Sequence, residues 1–265
     1  MKGYFSILKM RFLMLLQYRV PAIAGVFTQF FFGFVRVMVF QAFYSNISTT
    51  QPISLTQAIT YIWITQALFR LLPWEGDSEV QEIIRNGNLA YELVRPLDLY
   101  NLWLFRALAQ RLAPTLLRSI PLMFIVLLLP KECSLSLPRL DAVPSFIVTL
   151  ALAFVLSATI TVLMNIFTLW TISGDGINRI IPAIVLLFSG SLIPLPLLPD
   201  WIQASLRHMP FSGLLDIPVR FYTGNLMLSE LPYYLCIQLF WIFIFILLGR
   251  ILLKIKLKSI IVQGG

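Results

Sequence analysis

Few residues in this chain have the type and spacing to do chemistry. Ser189 and Ser191 flank Gly190, and the single histidine, His208, follows them. A serine nucleophile needs a base held within about 3 Å of its hydroxyl, and Pro194, Pro196 and Pro199 stand between the two groups. That arrangement argues against a hydrolase, and a lone histidine without companion ligands reads as structural. Cys133 and Cys236 are the only thiols. Two cysteines and one histidine build neither a disulfide framework nor an ordinary zinc site, so both thiols are expected free, although nothing in their spacing forbids a bond. Asn46-Ile47-Ser48 is a glycosylation sequon that matters only in a glycosylating secretory pathway. No Gly-x-x-x-x-Gly-Lys-Ser/Thr loop is present to cradle nucleotide phosphates. What is left is a run of charge from Glu75 to Arg95, whose chemistry is ion pairing and docking.

The elements that must position these groups follow from composition. Apolar residues make up 58% of the 265 residues and charged residues 12%, against about 25% charged in soluble domains. Polar side chains are too few to cover a soluble core, and apolar ones too many for disorder. Long apolar runs, in place of ten-residue alternation, favour helices over a β-barrel, so the fold class is an all-α integral membrane protein in one domain, 1–265. Six stretches approach the ~20 residues that a spanning helix needs: 20–44, 55–73, 112–130 (or from an earlier start near Leu102), 146–170, 178–198 and 233–253. Pro114 and Pro121 predict a kink in the third, and Pro194, Pro196 and Pro199 break the fifth near its end. Residues 2–19 read as an amphipathic interface helix and not a signal peptide, with Phe5, Leu8, Phe12 and Leu15 on one stripe beside Lys9 and Arg11. Lys and Arg divide fifteen to four across the spans, with Arg36 inside the first, which places both termini in the cytoplasm. The net charge of +8 is then a topology signal and not a nucleic-acid footprint.

The predicted spans hold no Asp or Glu. That weighs against an ion-coupled transporter or channel acting alone, which stays as the alternative because backbone carbonyls also bind Na⁺. Gln29, Gly33 and Arg36 share a helical face. They form either a pathway-lining stripe or a packing seam with Arg36 snorkelling outward, and the position of Arg36 toward the outer end favours the seam. Ser157, Thr161, Asn165 and Thr168 make a hydroxyl-and-amide face suited to hydrogen bonds between helices.

The cytoplasmic segment 74–100 is the densest in signals. Ser78 with Gln81 predicts a capping box, Glu79 and Glu82 suit the positive end of a helix, Arg85 its last turn and Gly87 its C′ position. A helix over about 79–86 is expected from these signals. Asn88 predicts the start of a second short helix, ended by Arg95 and Pro96. Leu89, Tyr91, Leu93 and Val94 set apolar side chains among these charges, so the two helices predict a docking surface.

The phrase Ile84-Arg85-Asn86-Gly87-Asn88-Leu89-Ala90-Tyr91-Glu92-Leu93-Val94-Arg95-Pro96-Leu97 resembles a Gly-x-Leu-x-x-x-Leu-x-Arg-Pro-Leu stretch of the permease subunits of bacterial ABC-2-type exporters. Ser189-Gly190-Ser191-Leu192-Ile193-Pro194, then Leu198-Pro199-Asp200-Trp201 and Met209-Pro210-Phe211, is similar to that family's stretch at the outer end of the fifth span. The likeness covers essentially the whole chain. It implies a coupling helix between the second and third spans that docks in a cleft of a separate ATP-binding subunit, present in two copies. Glu79, Glu82, Arg85, Leu89, Tyr91, Leu93 and Arg95 would make that contact. It also implies short re-entrant helices in 199–232 that roof the path, and a second permease subunit, identical or homologous. The second and fifth spans would line the path, adding Thr60, Gln66, Ser189 and Ser191 to Gln29 and Arg36 as path candidates. ATP and Mg would be bound by the partner, so no catalytic, cofactor or metal site is expected in this chain. The implied setting is the plasma membrane of a bacterium, in contact with membrane lipid, and the implied activity is export of an unidentified cargo, for which the aromatic-rich, acid-free interior suits an amphiphilic or apolar molecule.

Overall fold

A computed structural model of the chain describes residues 2–46, 51–171 and 174–258. Eleven α-helices and no strand occur among the described residues. α7 (Ala142–Thr171) is the central post. Every residue from Leu156 to Ile166 is buried, which is where an all-round apolar helix belongs. α6 (Leu99–Leu127), α10 (Asp216–Tyr222) and α11 (Leu231–Leu257) pack directly on it. α2 (Arg19–Asn46) lies outside, against α3 (Leu55–Ala67) and α6.

α2, α7 and α11 with the turn before it are long and apolar enough to cross a membrane. The other expected spans take a different form. α3 has 13 residues and is buried from Ala58 to Ala67. At 1.5 Å per residue it covers about 20 Å, short of the ~30 Å hydrocarbon layer. A capping box starts it, with the Gln57 amide donating to Ser54 Oγ at 3.2 Å and the Ser54 amide to Gln57 Oε1 at 2.9 Å. A 3₁₀ turn (Phe69–Leu71) continues it to Pro73. The helix expected as the third span, α6, begins at Leu99, close to the earlier of its two expected starts, because Asp98 caps it by accepting from the Asn101 amide at 2.9 Å. It runs through Pro114 and Pro121 as one helix, and it carries Arg106, Arg111 and Arg118. The fifth is α8 (Ile177–Phe188), only 12 residues long and not extending to 198. Gly190 ends it by taking φ = +81°, a conformation that costs other residues about 1–2 kcal/mol.

α1 (Lys2–Leu15) lies along α6, with the Tyr4 and Phe5 rings 5.5 and 5.4 Å from Phe105. Met10, Leu13 and Met14 are exposed, so its outward side is apolar as well. α9 (Asp200–Arg207) and α10 sit at the end opposite α1. α9 is largely exposed, whereas α10 is buried against α7 and α3. Cys133 and Cys236 are free. Ile47 and Ser48 of the sequon lie outside the described residues.

Candidate functional site

α4 (Ser78–Arg85) and α5 (Leu89–Leu93) form a bracket between α3 and α6. Asp77, not Ser78, caps α4, accepting from the amides of Glu79 and Val80 at 3.1 and 3.4 Å. Ser78 is instead the first helical residue. Gly87, at φ = +72°, closes α4 with a Schellman pair: Gly87 N to Ile84 O at 3.2 Å and Asn88 N to Ile83 O at 2.9 Å. Asn88 occupies the expected start of α5 but makes no side-chain cap.

Arg106 of α6 is the centre of the bracket. It is 6% exposed and reaches three carboxylates: Asp77 Oδ2 at 3.1 Å, Glu79 Oε2 at 3.1 Å and Glu92 Oε1 at 3.3 Å. Trp103 Nε1 donates to the second Glu92 oxygen at 3.0 Å. One planar guanidinium thereby fixes α4 and α5 to α6, a geometry a point-charge lysine does not reproduce. Arg11 of α1 grips Glu79 through both terminal nitrogens. These hydrogen bonds hold the Glu79 carboxyl below its ordinary value, against the opposing effect of burial. α4 also meets α8: the Gln81 and Asn178 side-chain amides exchange hydrogen bonds at 3.2 and 3.1 Å, and Arg85 pairs with Asp175 at 3.1 Å.

The connector that leads from α3 into α4 is pinned as firmly. Arg111, fully buried, donates to the carbonyls of Leu72 and Glu75 at 3.2 and 2.5 Å and to Thr161 Oγ1 at 2.9 Å. Ser157 donates to the Leu71 carbonyl. The Asp77 amide donates to Asn165 Oδ1 at 2.8 Å. Ser157 and Asn165 of the α7 polar face therefore hold the connector directly and Thr161 holds it through Arg111 of α6, while Thr168 turns to its own helix, at Met164 O.

The docking candidates divide. Glu82, Tyr91, Leu93 and Arg95 are exposed, as is Val94, at 84%. Leu89 points inward and is buried with Val80 and Leu99. Glu79 and Arg85 are exposed in part but are engaged within the chain.

The path candidates sit in a closed seam. Gln29, Thr60, Gln66, Ser189 and Ser191 are all buried. Arg36 is half-buried and donates to the Ser191 carbonyl at 2.6 Å, joining α2 to the turn after α8. A Cβ on Gly33 would lie 2.5 Å from Trp63 and 3.2 Å from Gln66, so this glycine permits α2 to approach α3. Both polar atoms of Gln29 and the Gln66 amide nitrogen lack partners among the described residues. Thr60 accepts from the Ser136 amide at 3.2 Å.

Two further expectations are resolved. The Ser189 and Ser191 hydroxyls are buried without partners among the described residues, and His208 faces Tyr233 at 3.3 Å, so no hydrolytic pair is assembled there. α2, α3, α6, α7, α8 and α11 hold no acid, yet one carboxylate reaches the core. Asp216 of α10 accepts from the Tyr61 hydroxyl of α3 at 2.9 Å and sits 3.6 Å from Arg220. Burial pushes its carboxyl above the usual value, against the pull of Arg220 and Tyr61.

Sequence reasoning missed Asp77, Trp103, Arg106 and Arg111. The available signal was two arginines five apart inside an otherwise apolar helix, beside a tryptophan three residues before the first.

An all-helical bundle with three helices long and apolar enough to cross a membrane, joined to a charged bracket, fits a membrane protein. The chain belongs to the ABC-2 family of transporter proteins, whose model matches residues 30–264. Comparison with curated proteins gives no match. Membership makes it a membrane component of a transporter, a permease associated with an ATP-binding subunit.

Proposed function

We propose that the chain is the permease of an ATP-driven exporter and that α4–α5 is its coupling element. The observation that carries this reading is the bracket, whose inner side is bonded to α1, α6, α7 and α8 while its outer side exposes Tyr91, Leu93 and Val94 between Glu82 and Arg95. An exposed apolar patch on a firmly anchored element fits a protein partner. ATP and Mg bind the partner, in two copies, and a second permease, identical or homologous, completes the path. Differential ATP affinity for two states supplies the energy, and the bracket transmits it as a rigid-body movement. In this reading α3 with its turn and α8 with the segment after it complete six spans, α10 is re-entrant, and both termini are cytoplasmic in a bacterial plasma membrane. The seam at Gln29, Gln66 and Ser191 opens in the transporting state.

The test is co-purification of the ATP-binding subunit with Val94→Glu and Glu82→Lys. Both residues are exposed, so the variants keep the wild-type fold and lose the partner. Retention of partner and export in both removes the docking assignment, and ATP-independent flux in liposomes by the isolated chain refutes the whole reading.

A further inference from the structure

A groove of about 540 Å³ opens between the α5–α6 junction and the last turns of α11. Its walls combine two chemistries. Leu97 and Leu257 supply apolar surface, while Arg250, Lys254 and Lys258 line the same groove. The three cations recur every fourth residue, Arg250 and Lys254 on α11 and Lys258 as its C-cap, and so fall on one side. Asp98 is the one acid in the lining, and it is occupied as the cap of α6 and by Arg250 at 3.9 Å. Arg250 is held in place, over the Tyr100 ring at 5.1 Å and bonded to Asn101 Oδ1 at 2.8 Å. Lys254 and Lys258 are exposed and make no ion pair or hydrogen bond among the described residues.

A second, independent feature sits in the same wall. Tyr100 is 1% exposed, and its hydroxyl has no partner among the described residues. A buried hydroxyl without a partner is costly, and a ligand oxygen removes the cost.

We propose that this groove binds an anionic phospholipid, its phosphate at Lys254 and Lys258 and an acyl chain along Leu97 and Leu257. Charge complementarity selects the ligand: three cations against one acid favour a phosphate, and the apolar wall favours a chain attached to it. The groove adjoins Leu93 of α5, so bound lipid would brace the bracket from the side away from Arg106.

The test uses the full-length chain in neutral detergent and needs no ATPase, so it is separate from the export reading. Phosphatidylglycerol and phosphatidylcholine are titrated and retention is read by native mass spectrometry. Wild type retains phosphatidylglycerol in preference to phosphatidylcholine. Lys254→Gln with Lys258→Gln weakens phosphatidylglycerol binding about 30-fold, or about fivefold per lysine. Lys256→Gln removes the same charge from a lysine that instead stacks on Trp170 at 5.4 Å, and it has a smaller effect than either single groove variant. Tyr100→Phe removes only the unpartnered hydroxyl and weakens binding by about fivefold, the worth of one hydrogen bond. Equal retention of both lipids, or wild-type affinity in the double lysine variant, overturns the proposal. So does equal thermal stabilisation by inorganic phosphate, which reassigns the site to a free anion. Strong lipid binding gained only after deletion of 259–265 also overturns it, since the chain's own tail would then be the occupant.

Discussion

Replacement of Arg106 by glutamine isolates the bracket from the rest of the fold. The side chains of Asp77 and Glu92 are 8% and 5% exposed; Asp77 loses its paired guanidinium, and Glu92 is left with the more distant Arg95 at 4.0 Å. Breaking a buried pair by removing one partner costs about 3–5 kcal/mol. Two compensations place the expected loss at the lower end. Asp77 keeps two backbone donors, and Glu92 keeps Trp103 Nε1. Glu79 is half-exposed and retains Arg11, so it adds less than about 1 kcal/mol. A loss near 3 kcal/mol lowers the melting midpoint in detergent by on the order of 6–12 °C for a chain of this size. The companion variant joins Arg106→Met with Asp77→Asn and Glu92→Gln. Asparagine caps a helix as well as aspartate does, and a neutral set leaves no buried charge, so this triple variant recovers most of the lost stability. Under the proposed function, export should fall in Arg106→Gln even where the ATP-binding subunit still co-purifies, because the proposed docking face and the Arg106 bonds lie on different sides of the bracket. A cost below about 1 kcal/mol, or a triple variant no more stable than the single one, would refute the reasoning.

Gly33→Ala places a methyl group against Trp63, which cannot swing away because its Nε1 donates to the Cys133 carbonyl at 2.7 Å. A stability loss of about 1–3 kcal/mol is expected by thermal melting. Gly87→Ala meets no atom within 4 Å, so its expected cost of about 1–2 kcal/mol comes from the left-handed backbone alone. Gly87→Asn, which tolerates that conformation better, should melt above Gly87→Ala. The depressed Glu79 carboxyl makes the α1–α4 contact pH-dependent: its stabilisation is complete above the ordinary carboxylate pKa and is lost as pH falls through the depressed value. Amide exchange in α1 should be insensitive to pH-corrected changes from about 8 to 5 and rise below that, and Glu79→Gln should abolish the difference.

What the sequence made legible was local. The ends of α4 and α5 lie close to where capping and stop signals put them, because Gly87 and Pro96 act on their own backbone. The choice of Asp77 over Ser78 as the cap was not local. Both residue types cap well, but only Asp77 also meets Arg106, 29 positions away. The length of the fifth span was misread because its apolar composition continues past Phe188, whereas the backbone turns at Gly190. The polar face of α7 was recognised as a helix-bonding surface, and Thr161 does accept from Arg111 of α6, but Ser157 and Asn165 bond a connector instead. Composition cannot distinguish these, since both present carbonyls and amides. The outward and inward halves of the docking list likewise separate only in three dimensions: Leu89 and Leu93 are one helical turn apart, and only the first packs on Val80 and Leu99.

These contacts also explain why so much polarity is spent at a single place in an otherwise apolar protein. A hydrophobic interface slides easily, because its energy depends little on register. The segment from Leu71 to Asp77 is instead fixed by directional bonds from Ser157, Arg111, Asn165 and Arg106, contributed by two different long helices. Hydrogen bonds to charged groups are worth about 1.5–3 kcal/mol each and weaken steeply with angle. Displacement of α4 therefore meets α6 and α7 with no compliant joint between, and it reaches α3 through the backbone of the same connector. α3 is in turn the helix that contacts Gly33 of α2 and Asp216 of α10. With the exposed face of the bracket as the docking face proposed above, a push on it would be conveyed through bonded groups toward the buried, unpartnered amides of Gln29 and Gln66, polar atoms that gain partners by opening to water.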